Sequence, residues 1–151
     1  MPTKPMDPST RRFIRRVLDA HHTMTLATSR ADGWPQATTV AYAVDGMTLY
    51  FACDPDCQKV KNIRRSKKVS LAIDEGDGGD WAKLKGISMG ATAEVLKAPA
   101  DVRRAARILA KRFPAMGDMS EGVAFVKVTP KVVSVIDYAK GFGHTELVRA
   151  A

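Results

Sequence analysis

The spacing of apolar residues changes period several times along the chain, and each change marks an element. Phe13, Ile14, Val17 and Leu18 recur at helical spacing behind Asp7 and Pro8. An N-cap residue followed by proline at the first helical position is a helix start, so a helix is predicted over residues 8–20. From residue 23 the period falls to two. Met24, Leu26 and Thr28 share one strand face, Asp32 and Gly33 supply a turn, and a second strand covers 36–44. Asp45 and Gly46 then read as the two central residues of a hairpin turn, both with positive φ, leading into a third strand over 48–53.

The next segment is the one around which the rest is arranged. Asp54, Pro55 and Asp56 form a turn, a basic helix begins near Asp56, and a fourth strand covers 69–73. Gln58 and Lys59 then lie in the first helical turn, where free N–H groups and the positive end of the dipole favour an anion such as a phosphate. Beyond a glycine-rich loop at 75–80, a fifth strand runs over 86–96, with Gly90 as a bulge or close-approach point. Val102, Ala106, Leu109 and Phe113 make the apolar stripe of a helix over 100–113, which Pro114 ends. After a loop over 115–122, a last β region at 123–138 is interrupted by Thr129 and Pro130, giving two strands or one bent strand. The tail carries two glycines around Phe142, then His144, and residues 1–6 read as a loose arm. About six strands and three helices, joined mostly by tight turns, favour a closed or nearly closed antiparallel barrel flanked by helices over a parallel βαβ fold.

At 151 residues, 45% hydrophobic and 26% charged, the chain suits one domain with a real core. Its net charge of +8 suits nucleic acid, an acidic membrane surface or a phosphorylated small molecule. Nucleic acid ranks last, because the basic residues lie on helix faces without the interleaved aromatics of a single-strand groove. Arg11, Arg12, Arg15 and Arg16 read as a solvated helix face. No apolar run reaches the length of a membrane span, and no membrane partner is expected. Cys53 and Cys57 have no matching Cys or His pair, so neither a disulfide framework nor a zinc site is indicated, and a reducing, cytoplasmic location fits. His21 and His22 are adjacent and diverge, so no shared metal is expected. Neither a GxGxxG nor a Walker A sequence is present.

The succession TMTLAT, PQATTVAYAV, DG, LYFACD, CQKVKNIRRSKKVSLAI and KGISMGATAEVL resembles the pyridoxamine 5'-phosphate oxidase-like, FMN-binding split-barrel family over residues 23–96. The remainder resembles it in architecture alone. The resemblance implies a mainly β (α+β) fold, a six-stranded antiparallel split β-barrel flanked by helices, with residues 1–151 as a single FMN-binding domain. It also implies a homodimer with the cofactor at the subunit interface, acting as an FMN-dependent oxidoreductase on a small-molecule substrate. The alternative is a non-catalytic carrier of flavin, deazaflavin or haem. By the same resemblance, the backbone of Ala37, Thr38, Thr39 and Val40 lies along the flavin edge, and Ala52 and Cys53 approach the phosphate or ribityl chain. Gln58 and Lys59 occupy the family's basic phosphate pair, half of it missing, and Lys85 and Gly86 match a further cofactor-proximal pair. Trp81 and the 142–144 tail with His144 reach toward the partner's cofactor. Ala37 and Tyr42 stand where the family carries charged residues, which counts against pyridoxamine-phosphate oxidation. No acid–base pair is evident beside the site, and hydride transfer requires none.

Overall fold

A computed structural model describes residues 3–76, 78–117 and 121–150. In chain order these form α1 (Pro8–Ala20), β1 (Thr23–Ser29), β2 (Pro35–Ala41), β3 (Ala43–Asp45), β4 (Thr48–Cys53), α2 (Gln58–Arg65), β5 (Lys68–Asp74), β6 (Lys85–Val95), α3 (Pro99–Arg112), β7 (Ala124–Asp137) and β8 (Thr145–Arg149). Asp7 caps α1 by accepting from the Thr10 N–H at 2.8 Å, with Pro8 in the first turn. Of the loop expected over 115–122, residues 118–120 lie outside the described residues.

The strands build one antiparallel sheet in the order β2-β1-β5-β6-β7-β4-β3, with β8 added to β7. Its two end strands, β2 and β3, are separated in sequence by Tyr42 alone, so the sheet has to curl until its ends meet. That is the split barrel the sequence implied. Tyr42 seals the seam. It is fully buried, its N–H donates to His22 O at 3.0 Å, and its hydroxyl donates to Leu18 O at 2.7 Å. Burial pushes the phenol up to about 12. Tyr42 is therefore a core residue beneath α1, which corrects its expected place beside a cofactor.

The described residues hold eight strands where about six were expected. The stretch read as one strand over 36–44 divides at Tyr42, and the tail supplies β8, whose Leu147 pairs with Ser134. Lys4, in the arm read as loose, is bonded along β8: its N–H donates to Leu147 O at 3.2 Å and its carbonyl accepts from Arg149 at 2.9 Å. The hairpin turn lies one residue later than expected. Asp45 pairs with Thr48, leaving Gly46 and Met47 central, and Gly46 alone of the two has positive φ, 64°.

The last β region is one bent strand. The register steps from Gly90 opposite Val132 to Ala91 opposite Pro130, leaving Lys131 as the extra residue of a bulge. This tolerates Pro130, because a bulge relaxes the demand for a ladder donor. A Cβ on Gly90 would meet nothing within 4 Å, whereas one on Gly86 would lie 2.7 Å from the Ile73 carbonyl oxygen. Close approach is thus needed at Gly86, and Gly90 borders the bulge.

Inward-facing residues of alternate strand positions, among them Leu26, Leu71, Ile87, Met89, Val126 and Val133, fill the barrel. Ile14, Val17 and Leu18 of α1 close one end at 0% exposure, each worth about 1.5–3 kcal/mol of burial. Two of the arginines on α1, Arg15 and Arg16, bond within the molecule, while Arg11 and Arg12 are exposed. Arg16 bonds Glu75 at 2.9 and 3.2 Å, and Arg15 bonds the Gly46 carbonyl. A second cluster forms on the outer side of β4 and β7, where Tyr50, Leu96 and Phe125 pack under Ala105 and Leu109 of α3. Ala37, Thr39, Thr25, Ser70 and Ala72 on the outer side of β2, β1 and β5 are exposed.

Candidate functional site

The chain turns sharply after β4. Cys57 N–H donates to Asp54 O at 3.2 Å, and Asp56 N–H donates to the Asp54 carboxylate at 2.8 Å. This turn delivers Cys57 as the N-cap of α2, without a capping bond from its side chain. The first N–H groups of a helix have no intrahelical acceptor; here those of Gln58, Lys59 and Val60 are in that position, since Lys61 N–H is the donor that reaches back to Cys57 O at 3.4 Å. Lys59 Nζ lies 3.8 Å from Cys57 Sγ, so its cation stays over the same turn. Uncapped donors and an ammonium form a donor set chemically suited to a phosphate.

Gln58 is committed elsewhere. Its amide donates to Asn62 Oδ1 at 2.8 Å, and Asn62 Nδ2 donates in turn to Thr28 Oγ1 at 2.9 Å and to Gln36 Oε1 at 3.2 Å. Asn62 is 2% exposed and Thr28 4%. This polar strut fixes the first turn of α2 against β1 and the start of β2, and so brings Lys59 and Cys53 to the end of the sheet that carries Ala37 and Thr38. Its signal in the sequence is the Gln58–Asn62 pair at helical i,i+4 spacing; its partners Thr28 and Gln36 have no such signal. Along β2, Ala37 and Thr39 are exposed, Thr38 is half-buried and turned inward, and Val40 is buried. Ala52 and Cys53 end β4 opposite Phe125 and Ala124. Burial, with a smaller contribution from neighbouring Cys57, pushes the Cys53 thiol up to about 12, so it remains a neutral thiol and not a nucleophile.

The other expected site residues stand toward the opposite end of the sheet, at and around the start of β6. Ala37 lies across Ala27 from Ser70 of β5, while Gly86 pairs with Asp74 four residues further along β5, an offset of about 14 Å along the strand direction at 3.4 Å per residue. Lys85 pairs with Asp137. Trp81 meets Phe142 edge-on with ring centroids 5.1 Å apart, and Phe142 meets Tyr138 at 5.7 Å. Trp81 and Phe142 remain 57% and 80% exposed. His144 Nε2 lies 3.7 Å from the Glu146 carboxylate, on the wall of a cavity of about 270 Å³ shared with Ser9, Phe13 and Asp137. The expected site residues therefore fall into two groups: Ala37, Thr38, Cys53, Gln58 and Lys59 toward one end of the sheet, and Lys85, Gly86, Trp81 and His144 toward the other.

The fold recurs in solved structures. A conserved hypothetical protein of Mycobacterium tuberculosis is similar with a TM-score of 0.77 at 24% identity, over 93% of this chain and 92% of that one. A candidate pyridoxamine 5'-phosphate oxidase of Listeria innocua has a TM-score of 0.68 at 20% identity, over 84% and 98%. The haem-storage protein HutZ of Vibrio cholerae has a TM-score of 0.69 at 15% identity, over 84% and 91%. No curated protein matches the chain in sequence. The family model described as pyridoxamine 5'-phosphate oxidase, however, matches residues 10–137, which takes in all but the first two residues of α1, the whole barrel apart from β8, and the expected site residues except His144. The chain belongs to the pyridoxamine 5'-phosphate oxidase family.

Proposed function

We propose that the protein is an FMN-dependent oxidoreductase acting on a small molecule, as a homodimer with each cofactor between the two subunits. The observation that carries this reading is the uncapped first turn of α2 with Lys59 above it, braced by Asn62 against a sheet edge of small residues. The phosphate end of FMN fits those donors. The exposed Ala37 and Thr39 leave the β2 backbone accessible to a flat ring system. Because Gly86, with Lys85 and Trp81 near it in the chain, is offset from Ala37 by about 14 Å along the strand direction, a second copy of the chain is the natural source of the other wall. When bound, the flavin would supply the electron chemistry. The protein's own residues then do three things: Lys59 neutralises the phosphate, Asn62 holds the anchor in register with β2, and the Trp81–Phe142 pair excludes water.

Ala37 and Tyr42 are apolar or buried where a charged grip on the flavin was expected, and Gln58 is occupied by Asn62. Retention therefore rests on Lys59 and backbone groups, an arrangement that suits a broad apolar acceptor better than pyridoxamine phosphate. Spectra and turnover of FMN-loaded protein test this. A bound-flavin absorbance band that bleaches with a nicotinamide donor is the expected result, and efficient formation of pyridoxal phosphate would overturn the substrate argument. A second reading, a carrier of haem or deazaflavin without turnover, draws on the similarity to HutZ, a haem-storage protein. Uptake of haem or deazaflavin in preference to FMN, each recognisable by its own absorbance bands, would favour it.

A further inference from the structure

The family resemblance aims His144 at a partner's cofactor, whereas the β7–β8 ladder turns it toward its own chain. Val135 pairs with Glu146, and the Asp137 N–H donates to His144 O at 3.2 Å. Alternate residues of a strand share a face, so Val135, Asp137, His144 and Glu146 line one side of the cavity of about 270 Å³ whose other side is Phe13 of α1. We propose that this cavity binds a small amino-acid zwitterion with an apolar side chain, its ammonium held by Asp137, His144 and Glu146 and its carboxylate by Lys140. The site is separate from the first turn of α2 and does not rest on the flavin reading.

The ring nitrogen carries the argument. His144 Nε2 is buried and has no hydrogen-bond partner among the described residues. The Glu146 carboxylate stands 3.7 Å from it, beyond hydrogen-bond reach. A buried polar atom in that position calls for a partner. An ammonium group brings three donors, so it can serve Nε2, in the ring tautomer protonated on Nδ1, together with Glu146. Asp137 is the third acceptor, with its Oδ1 taking the Ala139 N–H at 3.1 Å. No group of His, Asp and Glu among the described residues could hold a metal ion, so these acceptors suit an organic cation.

The remaining wall selects the body and the second charge. Half-buried Phe13 and buried Val135 supply an apolar surface. Lys140 is exposed on the cavity lining and has no ion-pair partner among the described residues, which leaves its cation for a carboxylate. The volume falls just under the ~300 Å³ at which drug-sized pockets begin, the scale of a single amino acid. Acceptors on one strand pair, a cation at the turn and an apolar wall match a zwitterion better than an amine or an acid alone.

Calorimetric titration of the full chain tests this with three probes that share a phenyl ring: L-phenylalanine, phenethylamine and 3-phenylpropionate. Phenylalanine should bind, and each singly charged analogue should bind at least about tenfold more weakly, as for the loss of one charge-assisted bond. His144→Ala and Asp137→Asn should each weaken phenylalanine by a similar factor; Asn keeps an oxygen for the Ala139 N–H. Should either variant fail to fold, the imidazole nitrogen spectrum of the unaltered chain decides. Of its three histidines, assigned by elimination from His21→Gln and His22→Gln, His144 alone should shift as phenylalanine is added. No binding of phenylalanine, binding of either analogue as tight as phenylalanine, or an unmoved His144 resonance would overturn the proposal.

Discussion

Asn62 offers the sharpest probe of how the site is built. Its carboxamide is 2% exposed and bonds Gln58, Thr28 and Gln36 at 2.8, 2.9 and 3.2 Å. Gln58 and Gln36 are half-buried and can rehydrate when Asn62 is removed, but Thr28, at 4% exposure, cannot. A buried hydroxyl left without its partner costs about 1–3 kcal/mol, and the two other bonds contribute about 0.5–1.5 kcal/mol each before rehydration offsets most of that. Asn62→Ala should therefore destabilise by about 2–3 kcal/mol, which lowers the urea midpoint by about 1–1.5 M at a slope of about 2 kcal/mol/M. Thr28→Val alone should cost about 1–2 kcal/mol, because it strands the Asn62 amide instead. If the bond is real, the double variant costs less than the sum, with a coupling of at least about 0.5 kcal/mol. Urea unfolding of the four proteins measures this cycle. Strict additivity would mean that Asn62 stabilises the fold without the Thr28 bond, and the strut between α2 and β1 would have to be abandoned.

Three further outcomes follow from the same geometry. Gly86→Ala should destabilise by about 1–3 kcal/mol, since its Cβ would press on the Ile73 carbonyl at 2.7 Å, whereas Gly90→Ala, with open space around it, should be near neutral by thermal melting. Partial burial works to raise the Glu75 carboxyl, but hydrogen bonds from Arg16 and His21 outweigh it and hold the group below its ordinary value of 4.5. Its contribution to stability is accordingly complete above about pH 4.5 and fades as the pH falls through the lowered folded value, so Glu75→Gln should flatten the acid limb of the stability curve while leaving the alkaline limb in place. Sedimentation should find a dimer that Ala72→Glu, in the middle of the uncovered sheet face, converts to a folded monomer; a wild-type chain that is already a stable monomer would refute the shared site.

Much of this architecture was legible because burial follows the sequence period. The alternation Val69, Leu71, Ile73 against Lys68, Ser70, Ala72 gives β5 without ambiguity, and Asp7-Pro8 and Pro114 bracket the first and third helices. The break at Tyr42 was hidden because Ala41, Tyr42, Ala43 and Val44 all suit a strand. What divides them is the bond from Tyr42 to His22, a partner 20 positions earlier. β8 escaped notice because only Val148 of its five residues is buried, so it carries no period of two and is held by its ladder to β7. The free donors in the first turn of α2 were readable from turn chemistry, since a turn followed by a helix exposes first-turn donors wherever it occurs. The separation of Lys85 and Gly86 from Lys59 was not, because it depends on which end of β5 each neighbour meets, and register is a property of the assembled sheet.

The central claim is that Lys59, on the first turn of α2, holds the cofactor phosphate, and equilibrium FMN binding by single lysine variants tests it most directly. Lys59→Ala should weaken binding by about 1.5–3 kcal/mol, roughly ten- to a hundred-fold or more, as for the loss of a hydrogen bond to a charged group. Lys61→Ala and Lys67→Ala remove exposed lysines of the same basic segment and should change affinity little. Equal losses in all three variants, or none in any, would contradict the account.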